Sequence, residues 1–211
     1  MRRFDIGPLI VAVGSLVLLV SLALDWYSGE TAWGAFEVAD VLLAALAIAA
    51  DLSWSCACVG SLDRAPAFAD RVRRGARDDG LGDRMRFTGP RTGPELDRAY
   101  ADADLLVLAS HAETYGMVVT EALARGLPVL AADAGGVSDA LGSGGLLVPP
   151  GDAAALGAAL RRWLQDGELR ERLGRAARER RATLRPWAAT AADVAGALAA
   201  AADLEFAGAA R

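Results

Sequence analysis

The chain has 211 residues, 54% of them hydrophobic and 23% charged, with a formal net charge of -5. That acidic balance excludes a nucleic-acid binder, because a phosphate backbone needs a basic face. All 22 basic residues are arginine, which removes lysine as a nucleophile or phosphate clamp, and two cysteines with one histidine cannot assemble a zinc site.

Arg2 and Arg3 precede an uncharged run at 6–24, closed by Asp25, Trp26 and Tyr27. The run is long enough to span a bilayer, and an acid followed by aromatics suits an interface. A second apolar segment, 36–50, carries Glu37 and Asp40 near its start, so only 41–50 lacks charge. Three readings stay open: a short second span, the first amphipathic helix of a soluble domain, or, for the first run, a signal peptide ending near Ser21-Leu22-Ala23. Residues 25–38 read as one unit with the first span, which favours the membrane. A hairpin with Arg2 and Arg3 inside holds the rest of the chain at the cell membrane, facing the cytoplasm.

From Asp51 onward short apolar runs alternate with helical patterns. Strands are predicted at 54–59, 85–88, 105–108, 128–132 and 146–148, with helices at 66–78, 94–102, 117–125 and 137–141 between them. Alternation of this kind gives an α/β fold, a Rossmann-like parallel sheet with helices on both faces and right-handed crossovers. Cys56 and Cys58 point to one face of the first strand and read as small core residues. Asp152 is a good N-cap for a helix at 153–165, and helices follow at 168–183 and 187–202. The chain thus divides into a hydrophobic anchor region 1–50, an α/β domain 51–203 and a tail 204–211.

Chemistry concentrates after the strand that ends at Ala109. In open α/β sheets ligands bind just beyond the carboxyl ends of the strands, and the polar stretch 110–115 occupies that position. Gly116 lets the backbone come close to a ligand, and the helix from Met117 directs free N–H groups and a partial positive charge toward it, which suits a phosphate. Glu113 and Glu121, with seven residues between them, flank this seat. Glu121 shares a helix face with Met117 and could reach a ribose hydroxyl, while Glu113 could reach a second polar ring. On spacing alone, a solvated loop carboxylate and a surface helix charge account for the pair equally well. His111, two residues before Glu113, reads either as a loop hydrogen-bonding group or as a direct catalytic participant.

The pair, with Tyr115-Gly116 between, is followed by Ala122-Leu123-Ala124-Arg125-Gly126-Leu127-Pro128-Val129 and Asp133-Ala134-Gly135-Gly136-Val137. Together they resemble the E-x7-E signature of the family-4 retaining glycosyltransferases of GT-B fold. The likeness runs from about 51 to 198 and corresponds to the carboxyl-terminal, donor-binding half of such enzymes. Asp40 to Leu46 is also similar to the helix that precedes the first matched strand in the family.

What the resemblance implies can be set out by position. Glu113, the catalytic candidate, would hold hydroxyls of the donor sugar near the reacting carbon. The backbone of Tyr115, Gly116, Met117 and Val118 would hold sugar and diphosphate, and Glu121 the ribose. The loop around Arg84 to Phe87, with Arg86 in it, would lie against the base, mostly through backbone groups, and Gly60 would be a close-approach glycine, although an ordinary turn explains it as well. Gly135-Gly136 is expected to be structural. The donor would be a nucleotide-diphosphate sugar used without a metal or other cofactor. The resemblance also implies an acceptor domain, to be supplied by a partner chain, and an arginine and a lysine for the diphosphate that the region before Asp51 does not offer. Loss of such cations removes several kcal/mol of transition-state stabilisation.

Overall fold

The computed structural model describes residues 35–209. In chain order these form α1 (Ala35–Ile48), β1 (Cys56–Val59), α2 (Pro66–Asp78), β2 (Met85–Gly89), α3 (Gly93–Ala101), β3 (Leu106–Leu108) and α4 (Met117–Ala124). They continue as β4 (Val129–Ala132), α5 (Val137–Leu141), β5 (Gly145–Val148), α6 (Ala153–Gln165), α7 (Gly167–Thr183) and α8 (Trp187–Ala209). Among the described residues the strands form two parallel sheets, β1-β2 and β3-β4-β5, rather than the single sheet expected. Pairing stops there because β1 hydrogen-bonds only to β2, and β3 only to β4.

Strand β4 explains why helices cover both faces of the larger sheet. Every residue of it is buried, and its side chains alternate. Leu130 faces a core with Leu43, Leu46, Leu156 and Leu160, from α1 and α6. Val129 and Ala131 face a second core with Val119, Leu123, Val137, Leu141 and Ala177, from α4, α5 and α7. Such two-sided burial is why a strand of this kind reads as a continuous apolar run. Strand β1 differs: Cys56 and Cys58 are half-buried while Ala57 and Val59 are exposed, so only one of its faces is covered. The thiols point to the covered face with their sulfurs 4.0 Å apart, as small core groups. The neighbouring thiol and burial raise the Cys58 thiol above its ordinary value, which keeps it protonated.

Of the readings open for 36–50, the structure gives a domain helix. Leu43, Ala45, Leu46 and Ala49 are buried in the first core. A segment that spends its apolar face on neighbouring helices is not available to lipid. Helix α1 therefore lies ahead of the expected domain start at 51 and belongs to the same core. No helix among the described residues is long and apolar enough to cross a membrane, and the expected first span, 6–24, lies outside those residues. At the other end α8 continues through Ala209 across most of the expected tail, because alanine, leucine and glutamate favour helix and nothing after Gly196 breaks it.

Close packing fixes α1. A Cβ on Gly157 of α6 would stand 2.7 Å from Ile48 Cδ1 and 2.8 Å from its Cβ, and one on Gly75 of α2 would stand 3.0 Å from Leu43 Cδ1. Just past α1, Arg161 of α6 grips both carboxylate oxygens of Asp51 and donates to the Ile48 carbonyl at 2.8 Å. The expected N-cap of α6 is in place, with Asp152 accepting from the Ala155 N–H at 2.8 Å. Gly157→Val should therefore destabilise the protein by about 1–3 kcal/mol through overpacking. Gly196→Ala, in an open stretch of α8, should be neutral or stabilising by up to about 1 kcal/mol. Thermal unfolding followed by circular dichroism compares the two.

The Arg161 guanidinium also holds the Asp51 carboxyl below its usual value of 3.8. A lowered folded-state value means that the pair contributes stability above about pH 4. The contribution is lost as pH falls through the lowered value. Carboxyl NMR titration should find Asp51 below its ordinary range, and Arg161→Ala should return it there.

Candidate functional site at the start of α4

The chain leaves β3 at Leu108, passes Ser110 to Tyr115 and turns into α4 at Gly116. Gly116 adopts φ +77°, a left-handed conformation that glycine alone takes without strain, and this sharp turn swings the helix start toward the strand end. Its N–H donates to Glu113 Oε1 at 3.3 Å, so the glutamate closes the turn from below. The next two donors, the N–H groups of Met117 and Val118, have no protein partner among the described residues. The first turn of any α-helix leaves such donors open. Here Met117 and Tyr115 are 55% and 56% exposed, so the open donors lie at the surface where a ligand can reach them.

A second turn holds the first in place. The Gly136 N–H donates to the Glu113 carbonyl at 3.3 Å. A Cβ on Gly135 would overlap that same carbonyl oxygen at 1.7 Å, and Gly135 sits at φ +54°. A Cβ on Gly136 would stand 2.8 Å from the Thr114 carbonyl oxygen. The Gly135-Gly136 turn after β4 is thus structural, and what it supports is the Glu113 loop. His111, in the same loop, is half-buried with its ring against Gly151 after β5.

Both glutamates are half-buried and each has one oxygen engaged. Glu113 accepts from Gly116 through Oε1, and Glu121, one turn into α4, accepts from the Tyr100 hydroxyl at 2.9 Å through Oε2. Among the described residues no hydrogen bond is made by the other oxygen of either, which leaves one acceptor on each side of the helix start. The structure therefore brings Glu113, Tyr115, Gly116, Met117, Val118 and Glu121 together on one loop and helix start.

The remaining candidates lie elsewhere. Gly60 follows the carboxyl end of β1, where its N–H donates to the Gly89 carbonyl at 3.2 Å, and a Cβ there would meet nothing within 4 Å. No protein atom crowds that glycine. Arg84 and Arg86 stand at the amino end of their strand, Arg84 preceding β2 and Arg86 its second residue, whereas open α/β sheets bind ligands beyond the carboxyl ends. Arg84 is occupied as well, donating to the Leu52 carbonyl at 2.7 Å with its guanidinium 5.0 Å from the Trp54 ring. The carboxyl end of β2 is instead Gly89, leading to Pro90, Arg91 and Thr92. Sequence reasoning missed this loop, although the Gly-Pro that ends the strand was its signal. Tyr100 was missed too, because its hydroxyl meets Glu121 only across two helices.

An α/β domain of parallel strands flanked by helices, with open N–H groups and two acceptors at one strand end, belongs to the Rossmann-like class of folds. The similarity to known proteins narrows this. Residues 38–180 match the family Glycosyl transferases group 1, and the chain belongs to that family. It is 48% identical over 98 residues to the sulfoquinovosyl transferase SQD2 of Arabidopsis thaliana, covering 44% of this chain and 19% of that protein. It is 41% identical over 130 residues to the D-inositol 3-phosphate glycosyltransferase of Corynebacterium glutamicum, covering 61% of this chain and 31% of that protein. The chain thus spans less than a third of the length of either curated relative. Among solved structures, the Anabaena protein Alr3699/HepE in complex with UDP and glucose superposes with a TM-score of 0.69 at 22% identity, over 95% of this chain and 53% of that one. At that identity the likeness establishes the fold, of GT-B type.

Gly135→Ala should push the Glu113 loop outward and destabilise the protein by about 1–3 kcal/mol, since it meets both a disfavoured backbone conformation and an occupied position. Gly60→Ala should leave stability unchanged. Chemical denaturation of the two variants side by side reads the difference.

Proposed function

We propose that this domain binds a nucleotide-diphosphate sugar and serves its retaining transfer to an acceptor. The observation that carries the reading is the start of α4: two open N–H groups between two glutamates, each with a free carboxylate oxygen. The N–H groups of Met117 and Val118, with the positive end of the helix, suit the diphosphate. Glu113 suits the hydroxyls of the sugar, and Glu121 the ribose. The base, by the same strand-end rule, lies toward the loop that follows Gly89. In the transfer, the bond from the anomeric carbon to the diphosphate breaks, a glycosidic bond to the acceptor oxygen forms on the same face of the sugar, and the acceptor hydroxyl proton passes to the departing nucleoside diphosphate. The glycosyltransferase relatives and a fold neighbour solved with UDP and glucose support this reading.

Transfer also needs an acceptor-holding domain, which lies outside the matched residues 38–180. The uncharged run at 6–24 would tether the complex to the cell membrane with this domain on the cytoplasmic side, where nucleotide sugars are made. Protease protection in sealed vesicles tests that placement, and digestion from the outer face of intact cells would sink it.

A binding module without transfer activity is the second reading. It is favoured by the cations: the chain has no lysine, Arg84 is held by Leu52 and Trp54, and Arg91 is paired with Glu95 at 2.8 Å. Titration of UDP, GDP and their glucose conjugates into the full chain tests what both readings share. Binding is expected in the micromolar to millimolar range and should survive EDTA, because backbone donors meet the diphosphate. Glu121→Ala should weaken it about tenfold or more, the loss of a hydrogen bond to a charged group. If neither nucleotide binds at millimolar concentration, both readings fail. If binding occurs, sugar transfer on adding an acceptor domain separates enzyme from module.

A further inference from the structure

Four side chains interlock where the last turn of α3 meets α4. Tyr100 donates its hydroxyl to Glu121 Oε2 at 2.9 Å. The Arg125 guanidinium lies over the Tyr100 ring, 4.4 Å from its centre, and donates to the Glu121 carbonyl at 2.9 Å and to Asp97 Oδ1 at 2.6 Å. The chain of contacts runs in one direction: Asp97 holds Arg125, Arg125 holds the ring, and the ring aims its hydroxyl at one oxygen of the carboxylate.

An exposed ion pair and a surface cation–π contact each contribute little to stability. Their larger consequence is for the rotamer of Glu121. A glutamate on a helix surface samples several side-chain conformations, and fixing it before a ligand arrives removes an ordering cost from binding. With Oε2 taken, Oε1 is the acceptor left to present. Burial, and then the neighbouring Glu121 carboxylate, push the Tyr100 hydroxyl up to about 12, so it remains a donor at any physiological pH.

We propose that Tyr100 is a positioning residue for the ribose site, held by Arg125 and Asp97, and that it sets which oxygen of Glu121 meets the ribose hydroxyls of a bound nucleoside diphosphate. This rests on the ribose role proposed for Glu121. A purely structural brace between α3 and α4 would alter stability and affinity without altering the discrimination between ribose and its deoxy forms.

The test is calorimetric titration of the full chain with UDP and GDP, each beside its 2′,3′-dideoxy analogue, for the wild type, Tyr100→Phe, Asp97→Asn and Glu121→Ala. Tyr100→Phe keeps the ring and its contact with Arg125, and thermal unfolding verifies that the fold is retained. The wild type should prefer the ribose form by about tenfold, the worth of one hydrogen bond to a charged group. Tyr100→Phe should cut that preference roughly threefold or more, Asp97→Asn should cut it less, and Glu121→Ala should abolish it. A wild-type preference in both Tyr100→Phe and Asp97→Asn, with the preference lost in Glu121→Ala, overturns the positioning role while leaving the ribose site standing. A wild-type preference in Glu121→Ala removes the ribose role itself, and this inference with it.

Discussion

The site depends on one backbone contact, that between the Gly135-Gly136 turn and the loop carrying Glu113. The two segments lie too close for any side chain to stand between them: a Cβ on Gly135 would overlap the Glu113 carbonyl. That proximity lets the Gly136 N–H bind the same carbonyl. It fixes the loop from one side, while Glu113 fixes Gly116 from the other. The direction of α4, and with it the open donors of Met117 and Val118, follows from these two bonds. Behind the site, β4 is buried on both faces and gives the loops a rigid edge to spring from.

Helix α1 carries the corresponding constraint at the amino-terminal side. Its apolar face is as compatible with lipid as with protein, and composition alone could not separate the two. The separating features are glycines on other helices: Gly75 and Gly157 leave room for Leu43 and Ile48, and Arg161 ties the helix end to α6. A segment fitted so closely on two sides is a core element of the domain.

Much of the fold was legible in the sequence because each element carries local chemistry. The apolar runs at β4 and β5, the Asp152 cap and the stop after Arg125 are all short-range signals, and the elements from β1 to α7 fall within a residue or two of their expected places, while α8 runs on past its expected end. The separation into two sheets was not legible, since hydrogen bonding between strands joins residues far apart in the chain. The place of Arg84 and Arg86 was hidden for a related reason. They stand beside a predicted strand, but strand direction decides which end faces a ligand, and only the first of those facts is local.

The sequence by itself determined the family, the alternation of strands and helices, and the place of Glu113 and Glu121 on either side of a glycine-led helix start. These follow from spacing along one stretch of chain, where a few residues settle the geometry. The tertiary structure alone decided that α1 is part of the core, that Arg84 serves Leu52 and Trp54, and that Tyr100 meets Glu121 across two helices. Each of those depends on surfaces brought together from distant parts of the chain, where shape and hydrogen-bond geometry choose the partner and sequence spacing carries no information.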